Sequence, residues 1–207
     1  PAGGVSWPYH VFGSYLECPI IGIQQAPSDQ PSSIRDMAID YANRIEELYP
    51  TGPYNLLGWS FGGVVAHEVA VQLQRRGRTI SRLVLLDAQP AIDETLLSGV
   101  SAQPQPGNDE QMAQLLREAG LADLARYRRV FALFMENIND NITRYRQHLP
   151  GVFDGDVTLF SAERDHDDRA SFLTRSWAPH VSGSIVIESI DCTHDEMLTN
   201  GSAAKYG

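Results

Sequence analysis

Apolar positions along the chain follow two rhythms. Short, mainly apolar runs suit strands of a parallel sheet buried between layers. They occur at Pro19 to Ile23, from Tyr54 up to Gly58, at Ile80 to Leu86, at Val157 to Phe160 and at Ser184 to Ile190. Between them, apolar residues recur at helical spacing. Ile34, Met37, Ala38, Tyr41, Ile45 and Leu48 predict a helix from Ile34 to Tyr49, with Ser32 or Ser33 as its cap and Pro50-Thr51-Gly52-Pro53 as its stop. Val64, Val65, Val69 and Leu73 mark a second helix that ends in Arg75-Arg76-Gly77-Arg78, and Trp7 to Leu16 reads as a short helix with Trp7, Val11, Phe12 and Tyr15 as its apolar contacts. A strand, the Val64 helix and another strand make a βαβ unit, which predicts an α/β fold with a mostly parallel central sheet flanked by helices.

The two rhythms meet at Gly58-Trp59-Ser60-Phe61-Gly62. An apolar strand, a G-x-S-x-G turn and a helix in immediate succession form the context of a nucleophile elbow. Such a turn strains the backbone of Ser60 and lifts its hydroxyl above the sheet edge. Gly58 and Gly62 let strand and helix approach without Cβ clashes, and the amide of Phe61 is free to meet an oxyanion. A second oxyanion donor is expected from a glycine-rich loop such as Pro1-Ala2-Gly3-Gly4. From Pro90 to about Pro150 the alternation breaks. Ala102 to Asn108 is a loop, and Asp109 to Ala119 and Leu121 to about Leu149 read as helices, with a stripe from Leu124 through Tyr127, Phe131, Phe134, Met135 and Ile138 to Ile142. Helices inserted between strands of such a sheet most often form a mobile lid, here residues 90–152; the alternative is that they only cover the core.

Bulk composition narrows the field. The 207 residues are 43% hydrophobic, enough for one domain, 1–207, with a sizeable core. A net charge of −10 argues against nucleic acid or an anionic membrane as partner. No apolar run reaches the roughly 20 residues that span a bilayer. Cys18 and Cys192 are too few for a disulfide framework and read as two reduced, buried thiols of a cytoplasmic protein. No His/Cys cluster has metal-ligand spacing, so no metal or cofactor is expected. The missing initiator Met and the short stretch after the last strand read as a domain cut from something longer at both ends.

A serine hydroxyl needs a base within hydrogen-bond reach. Of six histidines, His10, His67, His148, His166 and His180 sit before the elbow, within helices or in loops. His194 alone follows the last strand, at the sheet's carboxyl edge, and completes the order Ser, acid, His. Two carboxylates compete to orient it. Asp165 follows the strand after the insertion, among Glu163, Asp167 and Asp168; Asp87 emerges from the wholly apolar run Leu83 to Leu86, which favours a defined, partly buried carboxylate.

Pro1-Ala2-Gly3-Gly4, Gly58-Trp59-Ser60-Phe61-Gly62-Gly63, Leu85-Leu86-Asp87, Phe153-Asp154-Gly155-Asp156 and Asp191-Cys192-Thr193-His194 together resemble the type I thioesterase domains that terminate nonribosomal peptide synthetases. The resemblance implies the α/β-hydrolase fold and places the acid at Asp87, which decides between the two carboxylates. It also implies oxyanion donors at the backbone N–H groups of Phe61 and Ala2. Because no strand precedes Pro1, it implies a loosely held Ala2 loop. The activity it implies is release of a finished peptide from the phosphopantetheine of a peptidyl carrier domain. Acyl-Ser60 would then pass to water, giving an acid, or to an internal nucleophile, giving a macrocycle. Two readings compete: a free-standing serine esterase or editing type II thioesterase, and a catalytically inactive hydrolase fold used for binding.

Overall fold

The structure is a computed structural model that describes residues 2–26, 29–91, 124–164 and 167–206, with the side chains of 124–133 set aside. Among these residues four strands form one parallel sheet in the order β1 (Tyr54–Trp59), β2 (Ile80–Leu86), β3 (Val157–Ala162) and β4 (Ile185–Ile190). Register pairs Leu57 with Val84, Val84 with Thr158 and Thr158 with Val186, so the four strands end near one edge.

Alternation along these strands sorts side chains onto two faces. Leu83, Leu85, Val157 and Leu159 join the larger core with α1 (Ile34–Leu48), α2 (Phe61–Arg75) and Leu173 and Trp177 of α4 (Arg169–Trp177). Leu86, Phe160, Ala162 and Ile190 point the other way, onto Val11 and Phe12 of a 3₁₀ segment (Trp7–Ser14) and onto Met197 and Ala203. Ala203 ends α5 (Asn200–Ala203). The helix α3 (Leu124–Arg146) precedes β3, and no helix among the described residues is long and apolar enough to cross a membrane.

Helix α1 begins where the serine pair predicts. Ser33 is its cap, with extended backbone, and accepts a hydrogen bond from the Asp36 amide at 3.1 Å. Other expectations need correction. Pro19 to Ile23 is not a strand: Ile20 and Ile21 are 41% and 47% exposed, and the segment has irregular backbone. Apolar composition makes a strand only where a ladder partner exists, and none of the described strands lies beside it. The helix at Trp7 is 3₁₀; Val11 and Phe12 are buried, but Trp7 and Tyr15 are exposed. Cys18 is exposed, whereas Cys192 is buried against Met197. The helix expected at Asp109 to Ala119 and most of the 90–152 insertion lie outside the described residues.

One buried histidine gives the fold an acid limit. His67 on α2 is fully buried, with Nε2 donating to the His180 carbonyl at 2.9 Å and the ring 4.7 Å from that of Trp177. Burial pushes its imidazole down to about 4. The folded value lies below the unfolded one, so this contribution is complete above about pH 6.5 and is lost as pH falls toward 4. The expected loss is about 1.4 kcal/mol per pH unit across that window. Denaturant unfolding between pH 6.5 and 4.5 measures it, and His67→Leu flattens the slope. An equal slope in that variant would assign the acid limit to other groups.

Candidate active site

Ser60 sits between β1 and α2 with φ 57° and ψ −130°, a conformation that costs a non-glycine residue about 1–3 kcal/mol. Two bonds hold it there: its N–H donates to the Leu86 carbonyl at 3.0 Å, and its carbonyl accepts from Gly63 at 2.9 Å. A Cβ on Gly58 would lie 2.2 Å from the Gly62 carbonyl oxygen, and one on Gly63 would lie 2.3 Å from Cβ of Ala88. Strand and helix therefore meet backbone to backbone. The second obligatory glycine is Gly63, while Gly62 supplies the backbone that Gly58 touches. Phe61 opens α2, so its amide is among those that no intrahelical carbonyl reaches, at the positive end of the helix dipole.

Asp87 follows β2 and His194 follows β4, both at the carboxyl edge of the sheet. The structure brings them to Ser60 in one line. His194 Nε2 is 2.9 Å from Ser60 Oγ, and its Nδ1 is 2.5 Å from Asp87 Oδ2. With the proton on Nδ1 donated to the carboxylate, Nε2 accepts from the serine hydroxyl. The Asp87 side chain is 2% exposed and that of His194 33%, so the carboxylate is sealed and the imidazole reachable. Burial pushes the Asp87 carboxyl up, but hydrogen bonds from His194 and Arg169 outweigh it and hold the group below its usual value. Asp87 also has positive φ (42°); its N–H donates to the Phe160 carbonyl at 2.7 Å.

The remaining histidines are engaged elsewhere. His10 pairs with the Trp7 carbonyl and His67 with that of His180, His148 Nε2 is buried 3.6 Å from Glu68, and the His180 ring lies edge-on to Trp177. Asp165 and His166 lie outside the described residues.

The Ala2 loop is better anchored than the resemblance implies. Asn141 of α3, fully buried, donates to the Ala2 carbonyl at 2.7 Å and to Gln25 Oε1 at 3.1 Å, and it accepts from Arg144 at 2.9 Å. The Gly4 carbonyl accepts from the Gln25 amide at 2.9 Å. A Cβ on Gly3 would lie 1.9 Å from the Phe134 ring, so only glycine lets α3 cover the loop this closely.

Sequence reasoning missed three residues around this line. Trp59 donates from its indole N–H to the His194 carbonyl at 3.1 Å, with ring centroids 5.2 Å apart. Asn141 carries no motif. Arg169 forks onto Asp87, with Nε 2.9 Å from Oδ1 and Nη2 3.2 Å from Oδ2. Its place beside Asp167 and Asp168 reads in sequence as solvated charge.

Comparison with known proteins follows the same geometry. The family model of the thioesterase domain matches residues 1–204. Malpibaldin synthetase of Mortierella alpina is 32% identical over 216 residues, 99% of this chain but 4% of the synthetase. The dimodular nonribosomal peptide synthase of Bacillus subtilis (strain 168) is also 32% identical, over 232 residues, all of this chain and 10% of that protein. The chain thus spans a tenth or less of these relatives' length. Among solved structures, the NocB thioesterase domain in covalent complex with a fluorophosphonate nocardicin G analogue has a TM-score of 0.70 at 24% identity, covering 99% of this chain and 87% of that one. The thioesterase domain that cyclises the lipopeptide antibiotic surfactin has a TM-score of 0.70 at 21% identity, covering 99% and 83%. With the elbow on a parallel sheet and the family match running nearly from end to end, this chain belongs to the thioesterase domain family, on the α/β-hydrolase fold.

Proposed function

We propose that this chain, 1–207, is a single release domain that frees a finished peptidyl chain from the phosphopantetheine of a peptidyl carrier domain in the cytoplasm, with residues 90–152 as a helical lid. The observation that carries the reading is the line Ser60–His194–Asp87, with contacts of 2.9 and 2.5 Å at the carboxyl edge of the sheet. Ser60 Oγ attacks the thioester carbonyl while His194 Nε2 takes the hydroxyl proton. Asp87 keeps the Nδ1 proton directed at itself and balances the imidazolium. The oxyanion is met by the N–H groups of Phe61 and Ala2, each worth roughly 10²–10³ in rate. The tetrahedral centre collapses, the carbon–sulfur bond breaks, and His194 returns the proton to the departing thiolate. Acyl-Ser60 remains. His194 then deprotonates water or a hydroxyl or amine of the acyl chain, whose attack forms a second tetrahedral centre. This collapses, the acyl–oxygen bond to Ser60 breaks, and His194 returns the proton to Oγ, giving a free acid or a macrocycle. Neither half needs a metal or a cofactor bound to this domain. That this chain is similar to a small part of much longer peptide synthetases supports a carrier as the donor, and the charge of −10 argues against nucleic acid.

Tethered delivery is the property that separates this reading from a free-standing esterase. A carrier adds contacts and effective concentration that a small thiol lacks. The expected outcome is acylation of Ser60 about 10²-fold more efficient from peptidyl carrier than from the matched N-acetylcysteamine thioester. Equal specificity constants for the two donors would favour the free-standing esterase. A preference that disappears at high salt would place the carrier's contribution in surface charge.

A further inference from the structure

Arg169 stands where its own helix gives it no reason to be. It is the first residue of α4, at the positive end of the helix dipole, where a cation is disfavoured. Asp168 before it has φ 60° and makes no side-chain cap. The guanidinium turns away from the helix instead. Its Nε and Nη2 grip both oxygens of Asp87 at 2.9 and 3.2 Å, and its Nη1 donates to Gln89 Oε1 at 3.0 Å. Gln89 is braced in turn by the Tyr145 hydroxyl, 2.9 Å from its carbonyl. The Arg169 side chain is 15% exposed.

We propose that Arg169 is a positioning residue for the reaction: its fork fixes the plane of the Asp87 carboxylate so that Oδ2 faces His194 Nδ1, and its charge offsets part of that carboxylate's pull on the imidazole. The inference rests on the triad reading above. A carboxylate can rotate about its Cβ–Cγ bond, and the Ala162 amide, 3.3 Å from Oδ1, is a weak restraint by itself. Two parallel bonds from a planar guanidinium remove that freedom, which a lysine's point charge cannot do. Geometry and charge therefore act on different observables. Orientation of the imidazole sets kcat, and the charge facing it sets the acid limb of the pH profile.

Among the described residues, Arg169 is the arginine hydrogen-bonded to the Asp87 carboxylate. Tyr145 from α3 is pushed up to about 12 and Tyr206 from the C-terminal segment is also raised, both by burial, so both are neutral in the working range. Tyr9, whose hydroxyl meets the Trp59 amide, is likewise pushed up to about 12. Cys192, beside the histidine's turn, is raised by burial. Asp195 and Glu196 lie on that turn, with Arg164 bonded to Glu196.

The experiment compares wild type, Arg169→Met and Arg169→Lys in kcat, KM and the pH dependence of kcat/KM, with a thioester on N-acetylcysteamine as substrate. Arg169→Met is expected to lower kcat roughly 10- to 100-fold with KM little changed. It is also expected to move the acid limb up by about one pH unit, because the unopposed carboxylate favours the imidazolium. Arg169→Lys keeps the charge and loses the fork, so its acid limb matches wild type while kcat stays low. A purely structural strut would lower the melting temperature and leave kcat and the acid limb of the folded fraction unchanged, which overturns the proposal. Where Arg169→Met does not fold, Arg169→Lys decides: low kcat with a wild-type acid limb supports the role, and wild-type kcat overturns it. Covalent acylation of wild type and its loss in Ser60→Ala test the triad separately, so an active enzyme indifferent to Arg169 refutes this inference alone.

Discussion

Ser60→Ala is expected to abolish covalent labelling by a fluorophosphonate and to lower acyl release by about 10⁴-fold or more, while the fold persists. The size of the effect follows from position. Ser60 Oγ is the hydroxyl placed 2.9 Å from His194 Nε2, and the amide of Phe61 opens α2 beside it. Without the oxygen no acyl intermediate forms, and what remains is whatever the oxyanion donors and substrate binding achieve with water. The retained fold also has a physical basis. Alanine keeps the Cβ, so the backbone at φ 57° is neither relieved nor strained further. Ser60→Gly gives the complementary result: equally inactive, but more stable by roughly 1 kcal/mol, since glycine occupies positive φ without the Cβ penalty. Stoichiometric labelling of the alanine variant, read by intact mass, would transfer the nucleophile to another residue.

Asp87→Asn is expected to lower release by about 10⁴-fold. Asparagine keeps the size of the side chain but presents a neutral amide to Nδ1. The imidazole then loses both its preferred tautomer and the charge that balances its protonated form. Asn is a cleaner probe than Ala, because Ala leaves Arg169 with no oxygen to meet in a nearly buried place. A buried charge left alone costs about 3–5 kcal/mol and confuses activity with folding. Asp165→Ala, at the competing position after β3, is expected to change the rate only a few-fold. Rates for the two variants under identical conditions make the comparison, and the reverse ranking would move the acid to the end of β3.

Much of this geometry was legible in one dimension. The run Ile80 to Leu86 is strand β2 residue for residue, and the cap at Ser33 and the start at Ile34 follow from local chemistry alone. Strand β3 runs two residues beyond Phe160, where the apolar run yields to Ser161 and Ala162, both still buried. The elbow was legible because its requirements are local: a strand, a strained serine and glycines at the crossing all lie within ten consecutive residues, Tyr54 to Gly63. Gly58 meets the Gly62 backbone as the motif requires, and Gly63, outside the motif, is a further close approach, against Ala88.

What lay beyond the sequence shares one physical feature, contact between segments far apart in the chain. Pro19 to Ile23 has the composition of a buried strand, but strands are made by hydrogen-bonded neighbours, and composition does not supply one. The contact between Asp87 and His194 joins residues 107 apart, and the Arg169 fork joins residues 82 apart. Asn141 reaches the Ala2 carbonyl across 139 residues. By itself the sequence determined the local periods, the caps, the elbow and the order in which serine, acid and histidine leave the sheet. Spacing left two carboxylates open and the resemblance chose Asp87; the tertiary structure shows that carboxylate against the imidazole, and it alone decided which arginine grips it and what anchors the Ala2 loop, because side-chain hydrogen bonds are set by distances in space that sequence spacing does not encode.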